Sequence, residues 1–426
     1  MCRPLIIYCI LFFLFNINLA AMDQKPYHHI YKDGKLFAFR NLEGGPKRDP
    51  NFKWNWKLFR EEKKKLKIDY PPEHVIDRQI VLKNLEKHKS DSYVMWLDHA
   101  SFIIKLGNTT IITDPVFEKY YGYFGFGTKK YIKPPLELKE LPEINLFLLS
   151  HNHLDHMSQK TINNFPYKNT KVLVPLKLGK YFTRNGYKKD KVKEMDWFDK
   201  VKINDEITIT MLPAQHWSKR WIWGDGNTNR SLWGSFLIEY KDKKIFFACD
   251  TGPAPFYKEL GKKFGPIDLG FGNIGAYNFF PIINVKDKST AHANPEELLS
   301  LMKDLKVKKV VGMHWGTAIL SLEPIWEPPV RFKKNAEKFG YKKEEAIIFK
   351  IGEVQKLEEG RSFKIQNIYF DHNSFEIKAI SKQVLKEFSD YLSLNNKLVI
   401  EINGFTDFIG GEVENQVLSE NRAKVV

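Results

Sequence analysis

Cysteine is nearly absent from this chain: among 426 residues there are three, Cys2, Cys9 and Cys249. The first two lie in a stretch laid out as a secretory signal peptide, with Met1-Cys2-Arg3, an apolar core from Leu5 to Phe15, polar Asn16 and Asn18, and small Ala20-Ala21. Loss of residues 1–21 leaves Cys249 as the only thiol, which excludes a disulfide framework within one chain. No cysteine follows the small residues, which argues against a lipoprotein anchor. Long apolar runs are missing too. The N-terminal core is short for a membrane span, and no other stretch approaches the ~20 residues that one needs. An uncleaved amphiphilic anchor is the competing reading of residues 1–21.

Acidic residues are outnumbered, with 67 Lys and Arg against 51 Asp and Glu and a net charge of +16. From residue 362 onward there are 7 basic and 9 acidic groups, so the whole excess belongs to the first 361 residues. Such a field attracts anionic lipid surfaces or nucleic acids. The sequence holds no nucleic-acid-binding module, so a membrane surface is the expected partner and a nucleic acid is not. A compositional bias of the genome would account for the lysines equally well. With 43% hydrophobic and 14% aromatic residues the chain can build sizeable cores, and its length suits two or three domains.

What the chain concentrates is histidine. Ser150-His151-Asn152-His153-Leu154-Asp155-His156 places four potential metal ligands within six residues, directly after the apolar run Ile144 to Leu149. That run reads as a buried strand, so the ligands sit on the loop leaving its carboxyl end, where α/β folds build their sites. Imidazole with carboxylate suits Zn²⁺ or another borderline first-row ion, and alternation around a tight loop can divide the ligands between two metals. A satisfied structural cluster is the competing reading. Three more candidates follow strand-like runs: His216 in Leu-Pro-Ala-Gln-His-Trp-Ser, Asp250 in Phe-Phe-Ala-Cys-Asp-Thr-Gly, and His314 in Val-Val-Gly-Met-His-Trp-Gly-Thr. Cys249, on a strand, should face away from Asp250 as a buried structural thiol. Asp114, ending a strand, either caps a turn or orients a metal-bound imidazole.

Residues 22–90 read as a lysine-rich, aromatic N-terminal arm that packs on a main domain. Tyr93 to Phe102 and Thr109 to Val116 form a hairpin around Gly107-Asn108. Strands at Lys171 to Pro175, Glu206 to Leu212, Ser235 to Tyr240, Lys244 to Asp250 and Val307 to Met313 alternate with helices to about residue 350. The pattern is α/β, two sheets sandwiched between helices with the site at one edge. Trp217, Trp221, Trp223 and Trp233 suit either an acyl-chain groove or packing around a long loop. Lys219, Arg220 and Arg230 either meet a phosphate or are solvated.

The set Trp96-Leu97-Asp98-His99-Ala100-Ser101, Thr113-Asp114-Pro115-Val116-Phe117, Gln215-His216-Trp217, Ser231-Leu232-Trp233-Gly234, Ala248-Cys249-Asp250-Thr251-Gly252 and His314-Trp315-Gly316-Thr317 resembles the metallo-β-lactamase-fold hydrolases. Within them it is most similar to the N-acylphosphatidylethanolamine-hydrolysing phospholipase D branch, over roughly residues 36 to 350. The one departure is Asp98, where that branch has Gly. The resemblance implies an αββα sandwich over residues 91–350 and two divalent ions, best met by Zn²⁺. One ion would be held by His151, His153 and His216, and the other by Asp155, His156 and His314, with Asp250 bridging both. It also implies Asp114 behind the ligands and a His at the place of His292 near the metals; as a lone residue, His292 reads equally well as a helix cap. Two cations about 3.5–4 Å apart would yield a bridging hydroxide for in-line attack on a phospholipid phosphodiester, with Asp250 and Asp155 orienting it or taking its proton.

After a linker at 351–365, residues 366–426 change character. Gly404-Phe405-Thr406-Asp407-x-x-Gly410 and Asn415-x-x-Leu418-Ser419-x-x-Arg422-Ala423 resemble the OmpA-like peptidoglycan-binding domain, a small α+β unit that is incomplete here. The resemblance implies that Asp407 and Arg422 grip the diaminopimelate of the wall peptide. Phe405 stands where that family has His. The combined expectation is an exported, periplasmic, dinuclear phosphodiesterase tethered to peptidoglycan. The alternatives are a lactone or amide hydrolase using the same metals, and, more weakly, a non-catalytic wall-bound structural protein.

Overall fold

The computed structural model describes residues 26–45, 53–68, 72–220, 228–285, 289, 291–357, 370, 374–394 and 412–425. The signal-peptide expectation for residues 1–21, Trp221, Trp223 and Asp407 lie outside them. The chain divides into two compact units, Met1–Gln355 and Lys356–Val426.

Two seven-stranded sheets form the first unit. The first runs Val192–Met195, Lys171–Pro175, Leu146–Leu148, Thr109–Thr113, Ser101–Leu106, Tyr93–Asp98 and Val354–Lys356 in spatial order. The second runs Lys200–Lys202, Ile207–Leu212, Ser235–Tyr240, Lys243–Phe247, Ile267–Asn273, Val307–Met313 and Ala346–Ile347. In each, consecutive antiparallel strands give way to parallel ones, so several strand ends open on the same edge.

Alternation along the strands makes the layers. Tyr93, Met95, Leu97, Ile103, Ile112, Phe147, Val172 and Val174 join Val81, Ile162 and Phe182 from three helices in one buried cluster. The opposite face carries Trp96 and Phe102, and Phe102 meets Phe271 of the second sheet at a ring separation of 4.6 Å. Helix Pro295–Asp304 covers the outer face of the second sheet. It lies so close that a Cβ at Gly272 would collide with Leu298, which is why glycine stands in that strand. The result is the helix, sheet, sheet, helix order expected.

Residues 26–45 add a hairpin, His29–Lys32 with Lys35–Phe39. His28 and His29 approach the two oxygens of Asp196 at 2.6 and 2.8 Å, and His28 stacks on Trp197.

Three local expectations are corrected. The single strand expected over Tyr93 to Phe102 is two, because the chain reverses at His99-Ala100 with His99 at φ 45°. No Gly or Asn marks that turn. The strand expected to reach Asp250 stops at Phe247, as Cys249 takes φ 58°. The linker expected from residue 351 begins later: Ile351 is buried, and Val354–Lys356 is an edge strand of the first sheet.

The second unit has helices Ala379–Leu394 and Glu412–Val425 and an isolated bridge between Phe370 and Ile377. Arg422 donates from Nε to the Ser374 carbonyl at 3.0 Å and lies over the Phe370 ring. Among the described residues no helix is long and apolar enough to cross a membrane.

Candidate metal centre

Strand ends deliver every candidate ligand to one edge. His151 to His156 leave Leu146–Leu148, His216 follows Ile207–Leu212, Asp250 follows Lys243–Phe247, and His314 follows Val307–Met313. His99, Asp114, Cys249 and His314 all have positive φ, from 37° to 64°. Such strain at consecutive strand ends is tolerated where packing holds it and a site needs it.

The donors fall into two groups around one carboxylate. His151 Nε2 and His216 Nε2 lie 2.8 and 3.1 Å from His153 Nδ1. His314 Nε2 lies 3.3 Å from Asp155 Oδ2, and His156 Nε2 3.6 Å from it. Between the groups, Asp250 Oδ2 is 3.0 Å from His156, 3.2 Å from His314, 3.8 Å from His216 and 3.9 Å from His151. All six metal-candidate residues other than Asp250 are thus brought together with it.

The outer nitrogens show which lone pairs face inward. His216 Nδ1 donates to the Ala291 carbonyl at 2.9 Å, and His156 Nδ1 donates to Asp114 Oδ2 at 2.9 Å. His151 Nδ1 donates to Ser150 Oγ at 2.9 Å, and Ser150 Oγ in turn donates to Asp114 Oδ2. Each Nε2 is left as a lone pair aimed at its neighbours. Nitrogen lone pairs facing one another across about 3 Å repel unless something positive lies between them. His153 Nε2, His156 Nε2, His314 Nε2 and Asp250 Oδ1 are also buried without a hydrogen-bond partner. The donor set fits two divalent ions.

Titration behaviour divides the two groups. Burial pulls His151 and His153 well below the usual imidazole range and lowers His216 to about 4, which keeps them neutral as ligands must be. Burial also pulls on His156 and His314, but Asp250 and Asp155 outweigh it, raising His156 well above the usual imidazole range and His314 to about 9. Without an ion these two rings carry the positive charge that an ion would replace. Burial favours the neutral form of Asp250, yet His156, His314 and His292 hold its carboxyl well below the ordinary value.

Asp114 sits behind the candidate ligands His151 and His156. It accepts from Ser150 N at 2.8 Å as well as from Ser150 Oγ and His156, so one carboxylate fixes two imidazoles. Cys249 contradicts its expectation: it is buried, but its Sγ lies against Ser150 Oγ and 3.5 Å from Asp114 Oδ2, because the left-handed turn cancels strand alternation. His292 belongs to the site. Its Nε2 is 3.7 Å from Asp250 Oδ2, while the helix cap is supplied by Asn294.

His99 was not among the candidates read from the sequence. Its Nε2 donates to Asp155 Oδ2 at 3.1 Å and its ring lies 3.8 Å from that of His314. Its signal was the Asp98-His99-Ala100 tripeptide, legible only if a turn is placed there. Asn41 of the arm pins His216, accepting from its N–H at 3.1 Å and donating to its carbonyl at 2.7 Å. Arg220 is buried and donates to the Asn152 and Met157 carbonyls, clamping the metal loop, and Arg230 stacks on Phe37. Trp217 packs on His153, whereas Trp233 is a core residue donating to Ala214.

A family model described as a beta-lactamase superfamily domain matches residues 109–315, and one described as the OmpA family matches residues 369–426. The mitochondrial N-acyl-phosphatidylethanolamine-hydrolyzing phospholipase D of Saccharomyces cerevisiae is 34% identical over 264 residues, covering 60% of this chain and 54% of that one. The corresponding enzyme 1 of Caenorhabditis elegans is 32% identical over 239 residues, covering 54% and 65%. Outer membrane protein RomA of Klebsiella pneumoniae is 33% identical over 116 residues, covering 27% of this chain and 80% of that one. The chain therefore spans about half to two-thirds of the first two relatives. A possible metal-dependent hydrolase from Veillonella parvula aligns with 63% of this chain and 100% of its own, at 18% identity and a TM-score of 0.49.

Proposed function

The chain belongs to the beta-lactamase superfamily, in its metallo-β-lactamase-fold form with an OmpA-family segment behind it, and on that premise we propose a metal-dependent phospholipid phosphodiesterase of the N-acylphosphatidylethanolamine phospholipase D type. The observation that carries it is Asp250 Oδ2, a single oxygen within 4 Å of four imidazoles drawn from two ligand groups. His151, His153 and His216 would hold one ion, Asp155, His156 and His314 the other, and Asp250 would bridge them. Two Zn²⁺ suit that donor set. When bound, such ions supply Lewis acidity and a water acidified to near neutrality.

The chain's own groups do the rest. Asp250, kept ionised by His156, His314 and His292, can orient the attacking water and take its proton. Asp155, held by His99, faces the same space from the other side. His292 keeps 14% of its side chain exposed and reaches toward Asp250, a place suited to a phosphoryl or leaving-group oxygen. Attack forms one P–O bond as the bond to the departing alcohol breaks, and the alcohol oxygen takes up a proton. No Ser or Cys nucleophile is required.

The second unit extends the proposal to location. Export through residues 1–21 and peptidoglycan binding through Asp407 and Arg422 would hold the enzyme in the periplasm at the wall or outer membrane. The test of function is hydrolysis of N-acylphosphatidylethanolamine by Zn²⁺-loaded protein beside Asp250→Asn, with products resolved by mass spectrometry. Phosphatidic acid from the wild type alone is expected. None from protein with both ions bound would turn the reading to lactone or amide hydrolysis.

A further inference from the structure

Beside the metal loop the chain displays a hairpin that neither fold nor site accounts for. Strands Tyr120–Tyr121 and Thr128–Lys129 pair antiparallel, and the tip between them is Gly122-Tyr123-Phe124-Gly125-Phe126-Gly127. A Cβ at Gly122 would run into the Phe126 carbonyl and one at Gly127 into the Tyr121 carbonyl, so the two glycines let the legs close beneath the tip. Phe126 N–H donates to the Tyr123 carbonyl at 2.8 Å, closing a turn with Phe124 at φ 52° and Gly125 at φ 81°. Two central residues with positive φ make a type I′ turn, whose first central position favours Asn, Asp or Gly. This chain puts Phe there, in the conformation a bulky side chain tolerates least.

It then leaves that ring in water. Phe124 is 97% exposed and Phe126 78%. Conformational preference and solubility both disfavour this choice, so its compensation lies outside the chain. The flanks carry the complementary signal. From Lys119 to Lys133 there are four lysines and no acidic residue, and Lys119, Lys129 and Lys133 are exposed. Two exposed aromatics flanked in sequence by three exposed lysines suit the interface of an anionic bilayer, rings among the acyl chains and ammonium groups at the phosphates.

The hairpin is fixed to the site. Tyr121 packs on His99 at a ring separation of 5.1 Å, and Tyr123 donates to the carbonyl of Arg220, whose guanidinium clamps the metal loop. Lys130 is buried in an ion pair with Asp98 and also donates to the Val116 carbonyl at 2.7 Å. We propose that Phe124 and Phe126 insert into an anionic phospholipid surface and thereby hold the metal centre against the bilayer from which it draws substrate. This deepens the phospholipid reading and, for its substrate half, rests on it.

Asp250 and the ligands stay untouched in the test. Phe124→Asn with Phe126→Ser removes both rings while giving the turn a residue it prefers, so the fold should melt no lower than wild type. Co-sedimentation of the full chain with phosphatidylglycerol/phosphatidylethanolamine vesicles should weaken by about 100-fold, from two lost apolar insertions. Zn²⁺-dependent hydrolysis of soluble bis(p-nitrophenyl) phosphate, or of a micelle-free short-chain lipid if that ester is not cleaved, should be unchanged. Wild-type binding that ignores anionic lipid, or a double variant that binds vesicles as well as wild type, overturns the proposal. A wild type that self-associates through the tip, with dimerisation lost in the variant, overturns it in favour of a second copy. Vesicle binding is read without catalysis, so failure of the phosphodiesterase reading would leave this result standing.

Discussion

Asp114→Asn should loosen the metal centre without touching a ligand. The carboxylate accepts three donors: Ser150 N–H at 2.8 Å on Oδ1, and Ser150 Oγ–H with His156 Nδ1–H at 2.9 Å on Oδ2. An amide keeps the shape but has one acceptor oxygen, so in either orientation its NH₂ faces a donor. Leaving a buried donor unmade removes about 1–3 kcal/mol. If the NH₂ turns to His156, that ring is stable only with its proton on Nε2, which then points into the site where a lone pair is needed. His151 is reached by the same route, since Ser150 Oγ relays it to Asp114. Loss of such support lowers metal affinity by about 10–100-fold, or roughly 1.4–2.8 kcal/mol of binding. The assay is chelator competition with metal analysis, beside thermal melts with and without Zn²⁺. Both melts should fall, the loaded one further. An Asp114→Asn protein that keeps both ions against chelator as wild type does would refute the reasoning.

Two other consequences follow from buried charge. Asp98 and Lys130 are each 1% exposed, and burial pushes the Asp98 carboxyl up while Lys130 pulls it down. Lys130→Met should therefore destabilise by about 3–5 kcal/mol, with Asp98→Asn added to it recovering most of the loss in denaturant titrations; a single variant with the wild-type midpoint would show the pair to be idle. Metal-free protein should lose stability on acidification. Burial holds His99 to about 3 and His216 to about 4, both below the ~6.5 of an unfolded imidazole. The unfolded chain then binds more protons, so the stability present above ~6.5 is lost as pH falls toward those native values. Above ~6.5 the raised His314 works in the opposite sense, so the window is the acid one: melts of the metal-free protein that hold level from pH ~6.5 down toward those native values would contradict this.

The candidate ligand cluster was legible because the chain announces it twice, by histidine spacing and by the apolar run before each candidate. His151, His153, Asp155, His156, His216, Asp250 and His314 all stand at strand ends, as the periodicity implied. The misses share a cause. His99 and Cys249 occupy left-handed backbone without a Gly or Asn to mark it, so the sequence pattern runs as a continuous strand through each. The Asp98 departure from the family pattern became intelligible only when Lys130, 32 residues away, appeared against it. The aromatic tip carries no signal of exposure in the sequence, and only the fold shows Phe124 and Phe126 in water. Trp233, open in sequence between a groove and packing, is core.

The most direct test of the central claim is a Zn²⁺ titration of metal-free protein that follows bound ions and N-acylphosphatidylethanolamine hydrolysis together. Two ions per chain are expected, with phosphatidic acid appearing as the second binds and with none released by Asp250→Asn. Full hydrolysis with one ion or none, or undiminished hydrolysis by Asp250→Asn, would contradict the bridged dinuclear site.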